Sequence, residues 1–188
     1  MVLMSLTKTQ QQQLLQTAKD SIAYGLQHGQ VLPVNSKDYD LELQEIRASF
    51  VTLEIDHQLR GCIGMLEAVR PLIVDIADNA FAAAFRDYRF PPVTAVEYTQ
   101  LEIHLSILTK PEPISFYSEE DLLRQIRPNI DGLILQEGNQ RGTFLPSVWE
   151  SLPEPSDFLC HLKQKAGFSP DYWSDLVKVF RYECDIIK

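Results

Sequence analysis

Cysteine is scarce in this sequence, with three residues at positions 62, 160 and 184 and no CxxC spacing. An odd number of widely spaced cysteines argues against a disulfide framework and against a cysteine-rich zinc site. The chain also lacks an apolar run of membrane-spanning length, and its first residues show no basic segment followed by an apolar one. We therefore expect a cytoplasmic protein with reduced thiols and no membrane association.

The sequence has fewer basic than acidic residues: 17 Lys and Arg against 26 Asp and Glu give a formal net charge of -9. This balance disfavours binding to nucleic acid, although a local basic pocket for an anionic small molecule is compatible with it. Neither GxGxxG nor GxxxxGK[ST] occurs, so these phosphate cradles are absent. The four histidines form no metal-binding spacing with the carboxylates. We predict no cofactor and no bound metal.

Hydrophobic periodicity predicts helices and strands that do not follow a regular βαβ order. Helices are predicted after a capping box at Thr7 to Gln10, from Pro71 to the prolines at 91 and 92, after Ser118 and after Ser156. Strands are predicted at Phe50 to Ile55 and onward from Leu59, at Leu101 to Leu108, at Gly132 to Gln136, at Thr143 to Leu145 and at Leu176 to Ile186. This order predicts an α+β fold with a mainly antiparallel sheet packed with helices, in one domain, 1–188, with a larger and a smaller lobe.

The stretch LRGCIG, Leu59 to Gly64, places two glycines around a cysteine. In an extended strand, alternation puts Arg60, Cys62 and Gly64 on one face. A nearby guanidinium favours the nucleophilic thiolate, and Gly61 and Gly64 would let a ligand approach the backbone. The alternative is structural: Cys62 is a small core residue, and the glycines permit close packing or a bulge.

The segment FRDYRFPP places Asp87 and Arg89 at the end of a predicted buried helix. Such a cluster of charges could bind an anionic group. The alternative is an ion pair between Asp87 and either Arg86 or Arg89 that fixes the end of the helix. Sequence alone leaves both open.

His104 and Glu102 share the polar face of the strand predicted at Leu101 to Leu108. This spacing suits a histidine general base that is oriented by a carboxylate. Because a nucleophilic cysteine needs a base within hydrogen-bond reach, a dyad of Cys62 and His104 is the sharpest catalytic hypothesis. The alternative is a half-exposed strand histidine without a catalytic role.

Two further features concern the second half of the chain. The segment TFLPSVW, Thr143 to Trp149, admits two interpretations, a surface that recognises a partner and a part of the core. Cys160 lies among apolar helix residues and is predicted to be buried and inert.

Seven blocks occur in order between Phe50 and Gly167, within a match that runs from about Leu14 to Tyr182, nearly the whole chain. In order they are FVTL from Phe50, LRGCIG, RFPP from Arg89, LEIHLSIL from Leu101, GLIL from Gly132, TFLPSVW and FLCHLKQKAG from Phe158. Together these blocks resemble the AMMECR domain family. The resemblance implies a small α+β protein in which LRGCIG is the signature strand.

The resemblance also implies partners. In microbes the family looks like one component of a three-component system called AmmeMemoRadiSam. The other two components are a Memo-like protein, which is related in fold to extradiol dioxygenases, and a radical S-adenosylmethionine (SAM) enzyme. One expected function is a substrate-binding or catalytic subunit that acts through a Cys62/Arg60 cleft. The other is a non-catalytic adaptor or scaffold that holds the partners together. A cleft that gathers Arg60, Cys62, Asp87, Arg89 and His104 would favour the first.

Overall fold

A computed structural model describes residues 6–188 and divides the chain into two compact units. The larger unit comprises the residues up to Leu108 together with Asp185–Lys188, and the smaller unit comprises Thr109–Cys184. Within the described residues, no helix combines the length and the apolar character needed to cross a membrane.

Helices and strands alternate irregularly along the described chain. The helices are α1 (Lys8–His28), α2 (Leu41–Gln44), α3 (Leu72–Phe85), α4 (Ala95–Tyr98), α5 (Glu119–Gln125) and α6 (Pro155–Lys165), with short 3₁₀ turns at Ser36–Asp38 and Pro146–Glu150. The strands are β1 (Ser49–Ile55), β2 (Gln58–Gly64), β3 (Glu102–Leu108), β4 (Glu112–Pro113), β5 (Gly132–Glu137), β6 (Gln140–Phe144), β7 (Lys178–Tyr182) and β8 (Cys184–Ile187). They form two antiparallel sheets, so the predicted α+β fold is confirmed.

The larger unit is built on the four-stranded sheet β2-β1-β3-β8. Strict alternation in β1 and β3 turns one face inward, where it packs against α1 and α3 in one apolar core that includes Leu14, Ile22, Val51, Leu53, Leu72, Ile76, Ile103 and Leu105. The capping box at Thr7 and Gln10 forms as predicted, and α1 ends at Gly29, whose φ of 67° suits a residue without a side chain.

The β1–β2 hairpin carries the LRGCIG stretch and leaves β2 at the edge of the sheet. Its two turn residues, Asp56 and His57, both have positive φ, at 51° and 60°. The register then slips once: Leu53 faces Gly61, but Glu54 faces Leu59. Arg60 is therefore an extra residue in β2, which interrupts the simple alternation predicted for this strand.

The smaller unit has its own sheet, β4-β7-β5-β6, and its own core. Trp149 stacks on Phe158 with ring centroids 3.8 Å apart, and its Nε1 donates a 2.7 Å hydrogen bond to the Asp131 carbonyl. Asp131, which is fully buried, accepts a hydrogen bond from the Arg127 guanidinium. An aromatic cluster thus stabilises this unit, and the buried Asp131 carboxylate is paired with a half-exposed arginine.

Three sequence predictions need correction. The helix that begins after Pro71 ends at Phe85 and not at the prolines, because the residues that follow turn to bind the edge of β2. The last helix begins at Pro155 after Glu154, so Ser156 is not its N-cap. The stretch from Leu176 to Ile186 is two strands of different sheets, β7 and β8.

Candidate functional site

A row of three side chains crosses the polar face of the larger sheet. The register pairs Thr52 of β1 with Cys62 on one side and with His104 of β3 on the other. Directly paired residues point to the same face, so all three side chains lie together opposite the core. Cys62 Sγ lies 3.3 Å from Thr52 Oγ1, within hydrogen-bond distance.

The same register excludes a direct Cys62–His104 hydrogen bond. Thr52 stands between them, and two strand spacings put the backbones of Cys62 and His104 about 10 Å apart. His104 Nδ1 instead lies 3.8 Å from Glu54 Oε1. The predicted dyad is thus replaced by a row in which any proton path from Cys62 to His104 must pass through Thr52 or a ligand.

Asp87 and Arg89 bind the main chain of Cys62 at the exposed edge of β2. Asp87 Oδ2 accepts the Cys62 N–H at 2.9 Å, while Arg89 Nη2 donates to the Cys62 carbonyl at 3.2 Å. Asp87 also pairs with Arg89 directly, at 2.7 Å. We call this arrangement the Asp87–Arg89 clamp. It satisfies backbone groups that an edge strand otherwise leaves open to another chain.

The electrostatics of the clamp follow from the short contacts of Asp87. Its side chain is 2% exposed, whereas that of Arg89 is 44% exposed. The Arg89 guanidinium, aided by the Cys62 N–H, holds the pKa of the Asp87 carboxyl well below its usual range, despite the opposing effect of burial. Asp87 in turn raises the pKa of Arg89. Both groups are charged at neutral pH and largely balance each other, as the helix-end interpretation expected.

Arg60 binds a different carboxylate. Its Nε and Nη2 donate to Glu97 at 2.8 and 3.2 Å, and Nη2 also donates to the Pro91 carbonyl at 2.9 Å. Arg60, with the hydrogen bonds from Thr94, lowers the pKa of Glu97 to about 2. The centroid of the Phe90 ring lies 5.8 Å from the Arg60 guanidinium carbon and 5.6 Å from that of Arg89. Arg60, Asp87 and Arg89 therefore converge beside Cys62.

The two glycines of LRGCIG are packed closely against other parts of the protein. A Cβ atom at Gly61 would collide with the Ala83 carbonyl of α3, and one at Gly64 would collide with the Phe50 ring and the Ser49 carbonyl. The space beside both glycines is filled, so they permit close packing and do not open a path for a ligand. This corrects the binding role predicted for Gly61 and Gly64.

Glu102 lies near the end of the same polar face, where it pairs across the ladder with Glu54. Its nearest basic group is His57 in the hairpin turn, with Nδ1 at 3.7 Å from Glu102 Oε2. Glu102 thus faces His57, and His104 faces Glu54. Glu102 therefore does not orient His104 in the way that the sequence suggested; the carboxylate beside His104 is that of Glu54.

The remaining candidates lie in the smaller unit. Trp149 is 1% exposed and belongs to the core, so the core interpretation of TFLPSVW holds for its tryptophan. Cys160 is only half-buried, which corrects the prediction that it is buried. Cys62 is half-buried as well.

The AMMECR1 family profile matches residues 15–187. The chain belongs to the AMMECR1 family. A protein of Methanothermobacter thermautotrophicus is 40% identical over 146 residues, which cover 74% of each chain. A protein of Methanosarcina acetivorans is 37% identical over 186 residues, covering 97% of this chain and 93% of its own. The crystal structure of an uncharacterized protein from Pyrococcus horikoshii matches with a TM-score of 0.81 at 34% identity, covering 92% of this chain and 88% of that one.

Two residues of the site in this AMMECR1 chain were not predicted from the sequence. Thr52 could have been found by alternation, because it lies between Val51 and Leu53, which both point into the core. Glu97 closes a capping box with Thr94, a pattern visible in the sequence as TAVE. Its contact with Arg60 spans 37 residues, however, and no local signal predicts it.

Proposed function

We propose that this protein is the substrate-binding or catalytic subunit of a three-component system with a Memo-like protein and a radical SAM enzyme. The partners come from the family resemblance. The role comes from Cys62, a half-buried residue whose main chain is fixed by the Asp87–Arg89 clamp while its Sγ lies 3.3 Å from Thr52 Oγ1. This arrangement is the single observation that carries the proposal.

Each group has a distinct task in the proposed site. Cys62 supplies a thiol in one fixed position, which is the requirement for productive contact with an electrophilic substrate. Thr52 can donate a hydrogen bond from its hydroxyl to the sulfur when Cys62 is in the thiolate form. His104 lies next in the row and can take or return a proton through Thr52 or a substrate group. The exposed part of Arg89 provides contact for an anionic substrate group.

The test uses the complete three-component system and needs no purified substrate. The radical enzyme, the Memo-like protein and this chain are mixed without oxygen with a metabolite extract, S-adenosylmethionine and dithionite as the one-electron reductant, and release of 5′-deoxyadenosine from S-adenosylmethionine is measured. We expect the wild-type chain to stimulate release, Cys62→Ser to lose most of that stimulation and Cys160→Ser to keep it. If the Cys62→Ser variant stimulates release as strongly as the wild type, the thiol has no role in the reaction. If the wild-type chain does not stimulate release at all, the proposal itself is contradicted.

An adaptor role is the second candidate, and Tyr88 supports it. This side chain is 95% exposed although the residues on either side of it form the Asp87–Arg89 clamp. A tyrosine held on a fixed backbone is a typical anchor of a protein interface. We expect Tyr88→Ala to weaken binding to the Memo-like protein by at least about tenfold, a loss of about 1.4 kcal/mol, in calorimetry.

Tyr117 offers a matched control for this measurement, because it is 100% exposed and lies in the smaller unit. Tyr117→Ala should leave the affinity unchanged. Equal effects of the two substitutions, or no effect of either, would contradict an interface at Tyr88. If Tyr88→Ala breaks the complex while Cys62→Ser leaves stimulation intact, the adaptor role replaces the catalytic one.

A further inference from the structure

Two carboxylates and two imidazoles gather at one end of the polar face of the larger sheet. Glu54 and Glu102 are direct cross-strand partners, and His57 lies in the adjoining hairpin turn. His104 lies two pairs along the ladder, on the same face of the sheet. One ligand atom each from Glu54, His57 and Glu102 can be chosen so that all three lie within 4.8 Å of one another. We call these three residues the Glu54–His57–Glu102 cluster.

The cluster has an electrostatic cost that a bound cation would remove. Like charges directly opposite each other in an antiparallel ladder are destabilising, and the whole chain carries a formal charge of -9. The contacts of these carboxylates with His57 and His104, at 3.7 and 3.8 Å, count as ion pairs only when the imidazoles are protonated. A neutral imidazole, by contrast, offers a nitrogen lone pair to a metal ion.

The spacing along the sequence predicts no bound metal, but strand pairing brings these three residues together. We propose that the Glu54–His57–Glu102 cluster binds one divalent first-row transition metal ion of the Zn²⁺ class. An imidazole nitrogen with two carboxylate oxygens is a donor set that Zn²⁺ accepts, with water in the remaining position. Tetrahedral binding brings ligand atoms to about 3.4 Å from one another, so the side chains must close in slightly. The side chains of His57 and Glu102 can do so, because they are 87% and 48% exposed.

The donor types also fix which ions the cluster prefers. Mg²⁺ and Ca²⁺ favour sites made only of oxygen ligands, whereas the imidazole of His57 favours a transition metal. This site needs neither the partners nor the thiol of the proposed function. Its presence or absence is therefore decided on the free protein, independently of any activity.

The experiment is calorimetric titration of the full chain with ZnCl₂ in a buffer that does not chelate zinc. We expect one ion per chain with a dissociation constant in the micromolar range. His57→Gln and the double substitution Glu54→Gln, Glu102→Gln should each weaken binding by at least about tenfold. A large excess of Mg²⁺ should not compete.

A matched pair of exposed residues in the smaller unit serves as the control. Glu150→Gln together with His161→Gln removes the same two residue types and should leave zinc affinity unchanged. Without metal, the Glu54→Gln, Glu102→Gln protein should be at least as stable as the wild type, because a like-charge pair has been removed. Circular dichroism before and after heating tests this and confirms that the variant is folded.

Co²⁺ as a spectroscopic probe separates this site from the thiols. Binding through oxygen and nitrogen ligands gives weak visible bands without a thiolate-to-cobalt charge-transfer band. Such a band would place the ion on a cysteine and overturn the assignment. Zinc binding weaker than millimolar, or an affinity that survives the Glu54→Gln, Glu102→Gln substitution, would overturn it as well.

Discussion

Each unit of the protein contains a buried aspartate paired with arginine, but the two pairs support different structures. In the smaller unit, Asp131 binds Arg127 by its side chain and the Trp149 indole by its carbonyl, so the pair stabilises an aromatic core. In the larger unit, the Asp87–Arg89 clamp binds the main chain of Cys62 at a sheet edge. The buried aspartate is thus linked to a buried indole in one unit and to the main chain of a half-buried cysteine in the other.

This difference favours the larger unit as the place of the proposed chemistry. The Trp149 cluster is enclosed, so its interactions can only stabilise the fold. The polar face of the larger sheet instead keeps Cys62, Thr52 and His104 partly exposed in one row, beside carboxylates that have imidazole partners. The following predictions test whether stability and reactivity divide between the units in this way.

The largest expected effect is on the stability of the smaller unit. Trp149→Ala removes a stacked, buried indole and should lower the free energy of unfolding by about 3–5 kcal/mol. Both tryptophans of the chain, Trp149 and Trp173, lie in the smaller unit, so the fluorescence of Trp173 during urea unfolding reports on this unit. A loss below about 1 kcal/mol would show that the cluster can collapse around the gap.

The second effect concerns the edge of the larger sheet. Asp87→Ala leaves the Cys62 N–H without its acceptor and Arg89 without its partner, which should cost about 2–4 kcal/mol. Hydrogen exchange of the Cys62 amide should accelerate. Asp131→Ala is the matched substitution, and it should destabilise the smaller unit without changing that amide. If both substitutions leave exchange at Cys62 unchanged, the clamp does not hold the edge.

A smaller effect depends on pH. Because the pKa of Glu97 falls from 4.5 to about 2 on folding, its stabilisation is fully present above about pH 4.5 and is lost as the pH falls toward 2. Glu97→Gln should cost about 1 kcal/mol at neutral pH, since the pair with Arg60 is partly exposed, and almost nothing near pH 2. Urea unfolding at several pH values measures this difference. A cost that stays constant down to pH 2 would contradict the assignment.

Several features that depend only on neighbouring residues were predicted correctly from the sequence. Thr7 and Gln10 cap the first helix as expected, and alternation within LEIHLSIL gave the burial of β3. Prediction failed where a contact joins distant residues or the backbone departs from regularity. The bulge at Arg60, the Arg60–Glu97 pair and the opposition of Glu54 and Glu102 arise from the register between strands and from long-range packing.

The glycines of LRGCIG also show that contacts between distant residues could not be predicted from the sequence. Sequence reasoning recognised that Gly61 and Gly64 mark a close approach to the backbone but left its partner open. In the fold the approaching groups are the Ala83 carbonyl and the Phe50 ring, so the close approach is internal. Only the packing of α3 and β1 against β2 decides this, and neither contact has a local signal.

The central claim is that Cys62 is held for chemistry, and its reactivity relative to Cys160 tests this most directly. Both cysteines are half-buried residues of the native protein, so each is in partial contact with solvent. Native protein is treated with iodoacetamide, and the labelling of each cysteine is followed by mass spectrometry. We expect Cys62 to react at least about tenfold faster, and Thr52→Val to remove most of this difference while the fold stays intact. Labelling of Cys62 that is no faster than that of Cys160 would contradict the account and leave Cys62 as a packing residue at the edge of the sheet.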